Sequence, residues 1–407
     1  MASITLNQLV DQTRQLVSDP EDRLYGDLDA SMADAIKSLL EKIALSEVER
    51  RVGVRLYERG ESRRDYRNGY RERDVQTPYR TVTIRIPRLR DRGYVPSYLE
   101  PGHRAIAEVE QWVLKALLVG MHRADVIRFM EDTTGCRPSD KLISRVQEDL
   151  DRQAKAFKQR QLKGRYVYLF LDAAWVKDIV GINASRVCIL TAVGITGAGE
   201  KEILGFERAQ RENESSWRGF LSRLRQRGVD PGQLQLLISD EHKGLAAAAA
   251  EVFGDVAHQL CWAHRVRNIF KAIAKSDRSA MIDGLRAIYA AAHKLAAKRA
   301  FRAWKVKWLV KYPNVVVSVE EDLGQLLSFY DCPQLHWKYL RTSNPIERVF
   351  LELRRRRFGC GAFANREQSD RIVFGVFLWL NRIWKGKDIW QKRARKANRR
   401  QSTALAA

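Results

Sequence analysis

Three acidic residues in this chain stand where carboxylates can do chemistry. Asp172 follows the apolar run of "RYVYLFLDAAWVKD", Asp240 follows that of "LQLLISDEHKG", and Glu347 lies near the start of "RTSNPIERVFLELRRRR". Each also has a plain structural use. Asp172 could close a strand in a turn, and Asp240 could cap a helix beginning near His242. Glu347 is third in a helix that reads as having Asn344 for its N-cap and Pro345 for its first residue, which is the spacing of a capping box. Electrostatics gives the three a joint meaning. With 72 Lys and Arg against 49 Asp and Glu, the chain carries a net charge of +23, and a carboxylate cluster on it is an island of opposite sign. Hard oxygen ligands in such a place suit Mg²⁺ or Mn²⁺, and a pair of such ions can activate a nucleophile and stabilise the leaving oxygen of a phosphodiester.

The elements that must position these residues form an α/β pattern. Within 164–260 an aromatic, apolar strand delivers Asp172 at its end, and "RVCILTAVGITGAGEKEILGF" reads as a hairpin with glycines at the turn. "SSWRGFLSRLRQRG" reads as a helix, and "LQLLIS" as a second buried strand leading to Asp240. Strands alternating with helices make a sheet domain, and open sheets commonly place their chemistry at strand ends. Residues 261–340 turn helical, rich in Trp, Ala and Lys, as an insertion; 341–385 resume the sheet domain with the Glu347 helix, and 386–407 are a basic tail. Glu352, five residues beyond Glu347, faces about 140° away on an ideal helix and is expected to be replaceable.

Upstream, residues 1–50 have helical periodicity suited to a hairpin or to self-association. Residues 51–150 form a basic region. Its first half mixes tyrosines with Arg63, Arg64, Arg67, Arg71 and Arg73, a blend that suits binding to a nucleic-acid backbone, and it holds a short β-pattern at Thr81–Ile86. Its second half, 104–150, reads as three helices, the last two joined by a tight turn with Ser139 as N-cap, in the outline of a helix-turn-helix.

A surplus of +23 points to a polyanionic partner, nucleic acid before membrane. The longest apolar run, "IVFGVFLWL", is about half a bilayer span, and the N-terminus lacks a signal pattern, so a cytoplasmic location is expected. Five scattered cysteines, Cys136, Cys188, Cys261, Cys332 and Cys360, argue for reduced thiols.

"FLDAAWVKD", "LLISDEHKGLAAAAAEVFG", "HQLCWAHRVRNI" and "RTSNPIERVFLELRRRRFGCGAF" resemble successive signature blocks of the Mutator-type transposases of bacterial insertion sequences. "YRNGYRERDVQTPYRTVTIRIPRLRDRGYVPSYL" resembles their N-terminal block, and together the likeness covers about residues 55–385 in the family's order. It implies an α/β RNase-H-like catalytic domain interrupted by an all-helical insertion, which the helices read upstream would precede as a helical, helix-turn-helix-like DNA-binding region. It also implies a D-D-E triad, carried here by Asp172, Asp240 and Glu347, which would be both catalytic and metal-holding toward Mg²⁺ or Mn²⁺, two ions per site. Ser343 stands where the family usually has Thr, which keeps a capping hydroxyl. The implied substrate is double-stranded DNA at the element ends and target, handled by a homodimer. Metal-activated hydrolysis would free a 3′-hydroxyl that then attacks target DNA.

Cys261 and His264 match a feature of the same family and are expected to pack and hydrogen-bond near the active site, with Arg267 and Asn268 available there for phosphate, and Arg354, Arg355 and Arg356 as further DNA contacts. Cys261 and His264 could also be half of a zinc site, with Cys332 and His336 as the other half, although the spacing between the halves is long. Two other functions fit the same residues: a structure-selective nuclease on the same fold, and a non-catalytic DNA-binding regulator.

Overall fold

The computed structural model describes residues 31–391 except 59, 78–79, 92, 100, 136, 181–182 and 358–364. Residues 1–30, most of the basic tail, Cys136, Cys360 and the side chain of Arg356 therefore lie outside the described residues. The chain divides into two units between Asp149 and Leu150.

In the first unit, helix α1 (31–52) lays a stripe of Ala33, Leu40, Ala44, Val48 and Val52 against a two-stranded antiparallel sheet. That sheet pairs β1 (Arg67–Gln76) with β2 (Thr81–Leu89). Strict alternation in β2 buries Val82, Ile84 and Ile86 in this core, so the β-pattern read at Thr81–Ile86 is a strand. β1 carries no such pattern: of "RNGYRERDVQ" only Val75 is buried, and the segment is extended because β2 offers it a ladder. Three helices follow, α2 (Ala107–Val119), α3 (Arg123–Thr134) and α4 (Asp140–Gln159). Ser139 caps the last, its Oγ accepting from the Leu142 N–H at 3.2 Å. α4 runs past residue 150 because Leu150, Ala154 and Phe157 extend the buried stripe of Leu142 and Val146 with no breaker between them.

The second unit is built on a five-stranded sheet of order β5-β4-β3-β6-β7. β3 (Tyr166–Val180), β4 (Asn183–Thr196) and β5 (Lys201–Ala209) form an antiparallel meander, and β6 (Leu236–Ser239) and β7 (His258–Leu260) run parallel to β3. α5 (Glu214–Gln226) and α6 (Lys243–Phe253) cover one face, where Trp217, Phe220 and Leu224 meet Leu169, Leu171, Leu190 and Leu204. After β7 the chain is helical through α7 (Trp262–Ala272), α8 (Arg278–Tyr289), α9 (Lys294–Trp308), α10 (Pro313–Glu321), α11 (Leu323–Leu326) and α12 (Trp337–Leu340). α13 (Asn344–Arg357) then packs on β3 and β4, and α14 (Arg366–Trp384) on β5 and α13. Phe377 of α14 meets Phe206 edge-on at 5.3 Å, on the sheet face opposite Leu204, because a register shift at Leu204 breaks the alternation of β5. "IVFGVFLWL" lies in α14, and among the described residues no helix is long and apolar enough to cross a membrane.

The arginines of the first unit split into two kinds. Arg67 donates to the Val54 and Arg55 carbonyls at 2.9 and 3.2 Å, Arg73 to that of His103 at 2.6 Å, Arg71 to that of Tyr94 at 3.5 Å, and Arg63 to that of Glu58. Arg64 stands exposed. Arg67→Ala and Arg73→Ala are therefore expected to lower stability by about 1 kcal/mol each in thermal melting. Arg64→Ala is expected to leave melting unchanged and to flatten the salt dependence of DNA binding by about one unit of slope. An unaltered melt for Arg67→Ala would show that its carbonyl bonds are dispensable.

Candidate active site

Sheet register sets the first two carboxylates side by side. β3 and β6 pair in parallel with Tyr168 opposite Leu236 and Phe170 opposite Ile238, and two more residues along each strand lie Asp172 and Asp240. Asp172 is not at the end of its strand, because β4 continues to pair with β3, Asp172 standing opposite Thr191. What ends there is β6, so Asp172 is the point at which β3 loses its parallel neighbour and Asp240 leaves the sheet. Asp172 is buried, with Oδ1 accepting from the Ala173 N–H at 2.8 Å. Burial first, and the charge of Asp240 second, push its pKa up to about 7 against the opposing pull of His264.

Asp240 does not cap α6. Its Oδ1 accepts from the His242 N–H at 3.2 Å, and His242 is the cap, its Nδ1 accepting from the Leu245 N–H at 3.2 Å. Between them Glu241 turns to α7, 2.8 Å from Arg265 Nε and accepting from Asn268 Nδ2 at 3.2 Å. Arg265 is buried and also holds Asp322 and Ser318. Three successive residues thus serve a site, a helix junction and a cap. Asn268 is spent on Glu241 and Lys271.

Glu347 reaches the same region by a different route. α13 begins one residue earlier than its sequence suggests, with Ser343 as N-cap, whose carbonyl accepts from the Ile346 and Glu347 N–H groups at 2.9 and 3.0 Å. Glu347 is then the fourth helical residue, out of capping-box register, and the Ser343 N–H goes to Cys261 Sγ at 3.1 Å. The Glu347 carboxylate faces α7, with Oε1 3.5 Å from Arg267 and 4.0 Å from His264 Nε2. His264 Nδ1 lies 3.4 Å from Ser343 Oγ, and Cys261 Sγ 3.3 Å from the same oxygen. Its contact with the Cys261 sulfur, against the cost of burial, raises the His264 pKa to about 9, and the charges of Asp172 and Asp240 add to the effect. Burial alone would push the Cys261 thiol up, but His264 and Ser343 hold it below its ordinary value. The Trp262 N–H donates to the Arg341 carbonyl at 3.0 Å and completes the seam.

Other expectations fare differently. Cys332 and His336 do not join Cys261 and His264: His336 Nδ1 is 2.7 Å from the Tyr168 hydroxyl and its ring stacks on Trp390 at 3.7 Å. Among the described residues, no three His, Cys, Asp or Glu side chains are gathered tightly enough to hold a metal ion. Glu352, expected to be replaceable on helical angles alone, is buried and paired with Arg355 at 2.7 Å. Arg354 and Arg355 are exposed on α13.

Glu212, between β5 and α5, escapes sequence reasoning because "QRENESSW" reads as a polar loop. Burial raises its pKa, and the nearby charge of Asp240 raises it further while His242 opposes. Its loop can come this close because residue 244 is glycine: a Cβ there would lie 2.7 Å from the Glu214 nitrogen and 3.2 Å from the Asn213 carbonyl carbon.

A buried carboxyl, Asp172, repelled by the half-buried Asp240 on a polycationic chain, makes with it a donor set of hard oxygens that a divalent cation would relieve. Glu347 is turned toward cationic side chains instead. An α/β unit with acidic side chains converging where one of its central strands stops has the form of a catalytic centre.

The chain belongs to the Mutator family of transposases, whose sequence pattern matches residues 6–386. It is 31% identical over 354 residues to the transposase for insertion sequence element ISRM5 of Rhizobium meliloti, covering 87% of this chain and 88% of that one. It is 32% identical to the transposase for IS406 of Burkholderia multivorans, covering 86% and 90%. With the transposase for IS1081 of Mycobacterium tuberculosis it shares 28% identity, covering 94% and 91%.

The raised pKa of Asp172 has a consequence for stability. A carboxyl whose pKa is higher folded than unfolded binds more protons in the folded state, so stability falls as pH rises from about 3.8 toward about 7. In EDTA at pH 8, Asp172→Asn is expected to melt above the wild type by the equivalent of a few kcal/mol, with the gap closing near pH 4. Mg²⁺ should raise the wild-type melting temperature and not that of the variant. A variant less stable than the wild type at pH 8 would contradict the repulsion.

Proposed function

We propose that the chain is the transposase of an insertion sequence, that its second unit is an RNase-H-like catalytic domain with residues 261–340 as a helical insertion, and that Asp172, Asp240 and Glu347 are its catalytic triad. The observation that carries this is the β3–β6 register, which, continued two residues past Phe170 and Ile238, brings Asp172 level with Asp240 where the central strand β6 stops. The meander followed by two parallel strands supports the domain assignment.

Asp172 and Asp240 would hold Mg²⁺ or Mn²⁺, with Glu347 turning from Arg267 to complete the set. Two such ions supply Lewis acidity and a more acidic water for attack on a phosphodiester. The chain's own residues do the rest. Asp172, level with Asp240, fixes where the attacked phosphorus sits. Arg267, exposed beside Glu347, offers its guanidinium to a phosphate oxygen once the carboxylate turns away. His264, held cationic by the Cys261 sulfur, keeps positive charge at the same edge. Water adds to phosphorus and the bond to the 3′-oxygen breaks, leaving a 3′-hydroxyl on the element end and a 5′-phosphate on the flank. The 3′-hydroxyl then displaces a 3′-oxygen in target DNA, one phosphodiester forming as another breaks. Joining two ends calls for two copies of the chain on double-stranded DNA.

The test uses DNA flanking the gene, Mg²⁺, and mapping of new 3′-ends and joined products. Because Ser343 and Cys261, not Glu347, organise the start of α13, Glu347→Gln is expected to melt near the wild type and to bind DNA. It should lose at least about 1000-fold in nicking and joining, equivalent to about 4 kcal/mol of barrier. Asp240→Asn should behave alike, while the exposed Glu367→Gln does both reactions at the wild-type rate. Nicking by Glu347→Gln at the wild-type rate would overturn the triad, and nicking by the wild type without joining would make the chain a nuclease.

A further inference from the structure

The β3–β4 hairpin outruns its sheet. β3 pairs with β6 only as far as Phe170, and β4 with β5 only from Cys188 onward, yet β3 and β4 pair with each other out to Val180 and Asn183. Among the described residues no third strand flanks the hairpin beyond Trp175 and Cys188, so a two-stranded arm begins three residues after Asp172.

Alternation gives the arm two faces. Val176 and Val187, opposite one another on the face of Asp172, are 3% and 2% exposed, and α13 packs against these strands. The other face carries Trp175, Lys177 and Arg186. Trp175 is 41% exposed, and the Arg186 guanidinium lies 5.4 Å from its ring centroid. Lys177 and Arg186 are direct cross-strand partners, and both are exposed. Like charges directly opposite on a ladder destabilise it. Among the described residues neither forms an ion pair. An exposed indole with Arg186 at its ring and Lys177 across the ladder, three residues along β3 from Asp172 and on the opposite face of the hairpin, matches an anionic polymer with stackable rings that wraps the arm as it leaves the site.

We propose that this face of the arm is a DNA-contact surface: Lys177 and Arg186 take neighbouring phosphates of the strand that enters the site, and Trp175 stacks on an unpaired base next to the scissile bond. The proposal rests on the reading of the chain as a DNA-cleaving transposase and adds which surface guides the strand.

The experiment uses the full chain and two fluorescent duplexes taken from the DNA flanking the gene, one fully paired and one with unpaired bases at the cleavage position. Binding is measured across salt in EDTA, and cleavage of the same duplexes in Mg²⁺. The double variant Lys177→Gln, Arg186→Gln is expected to bind both more weakly and to lose about two units of salt slope. It should melt at or above the wild type, since a repulsion has been removed, which excludes misfolding as the cause. Trp175→Ala should lose about tenfold in affinity for the unpaired duplex only, an effect that Trp175→Phe largely restores. An unchanged salt slope together with wild-type cleavage overturns the proposal and leaves the transposase reading standing. A changed slope with no effect of Trp175→Ala overturns the stacking role and supports the phosphate contacts. Loss of self-association without loss of DNA binding, read by light scattering, makes the face a protein interface instead. A wild-type chain that neither binds nor cuts either duplex overturns the proposal together with the reading beneath it.

Discussion

Two carboxylates that repel each other are held level by the backbone ladder between β3 and β6, and most of the second unit can be understood as what that constraint requires. The main-chain ladder ends at Phe170 and Ile238, and two residues further on the chain carries Asp172 and Asp240 out of it side by side. Burial of Asp172 then removes much of the water that would screen the pair. His264 on the β7–α7 side offsets part of the strain at Asp172, and His242 at the head of α6 does so for the neighbouring Glu212. Stability is lowered at the place where chemistry is wanted, the usual relation between a functional site and its fold.

The third carboxylate comes from 107 residues further along than Asp240, and no strand brings it. A polar seam does so instead. Ser343 caps α13 with its carbonyl, gives its N–H to Cys261 and places its hydroxyl between Cys261 and His264. Cys261 and Ser343 are buried at its centre, with hydrogen-bonding groups within reach of one another. A small thiol accepts the N–H where a carboxylate would bring another negative charge beside Asp172. Cys261 and His264 therefore hold the start of the helix that carries Glu347, a task that requires no zinc.

The strands bearing Asp172 and Asp240 were legible in the sequence, because long apolar runs ending in acid have few alternatives. The family blocks named the same acids. What the sequence hid was relational. Asp172 was read as a strand end, and only the register shows that its neighbour stops while β3 continues. Asn344 was as good an N-cap as Ser343 on local preference, and the choice is made by a cysteine 82 residues away in sequence. Glu212 gave no local signal, since its place depends on Gly244 admitting a backbone from another loop. Glu352 looked replaceable from helical angles alone, whereas burial and Arg355 decide its environment. Arg67 and Arg73 were counted with the phosphate contacts on composition, yet their guanidinium groups serve carbonyls of their own unit.

The seam between Cys261 and Ser343 also orders events in time. Domains are made from the N-terminus onward and fold as their segments emerge. The sheet with Asp172 and Asp240 can assemble once residue 260 is available, since its strands end there. Glu347 cannot be seated until Arg341 and Ser343 have left the ribosome and met the head of α7. On the triad proposed above, a nascent chain carries an incomplete site through the synthesis of every helix from α7 to α12, and Glu347 arrives with the segment that locks it in place.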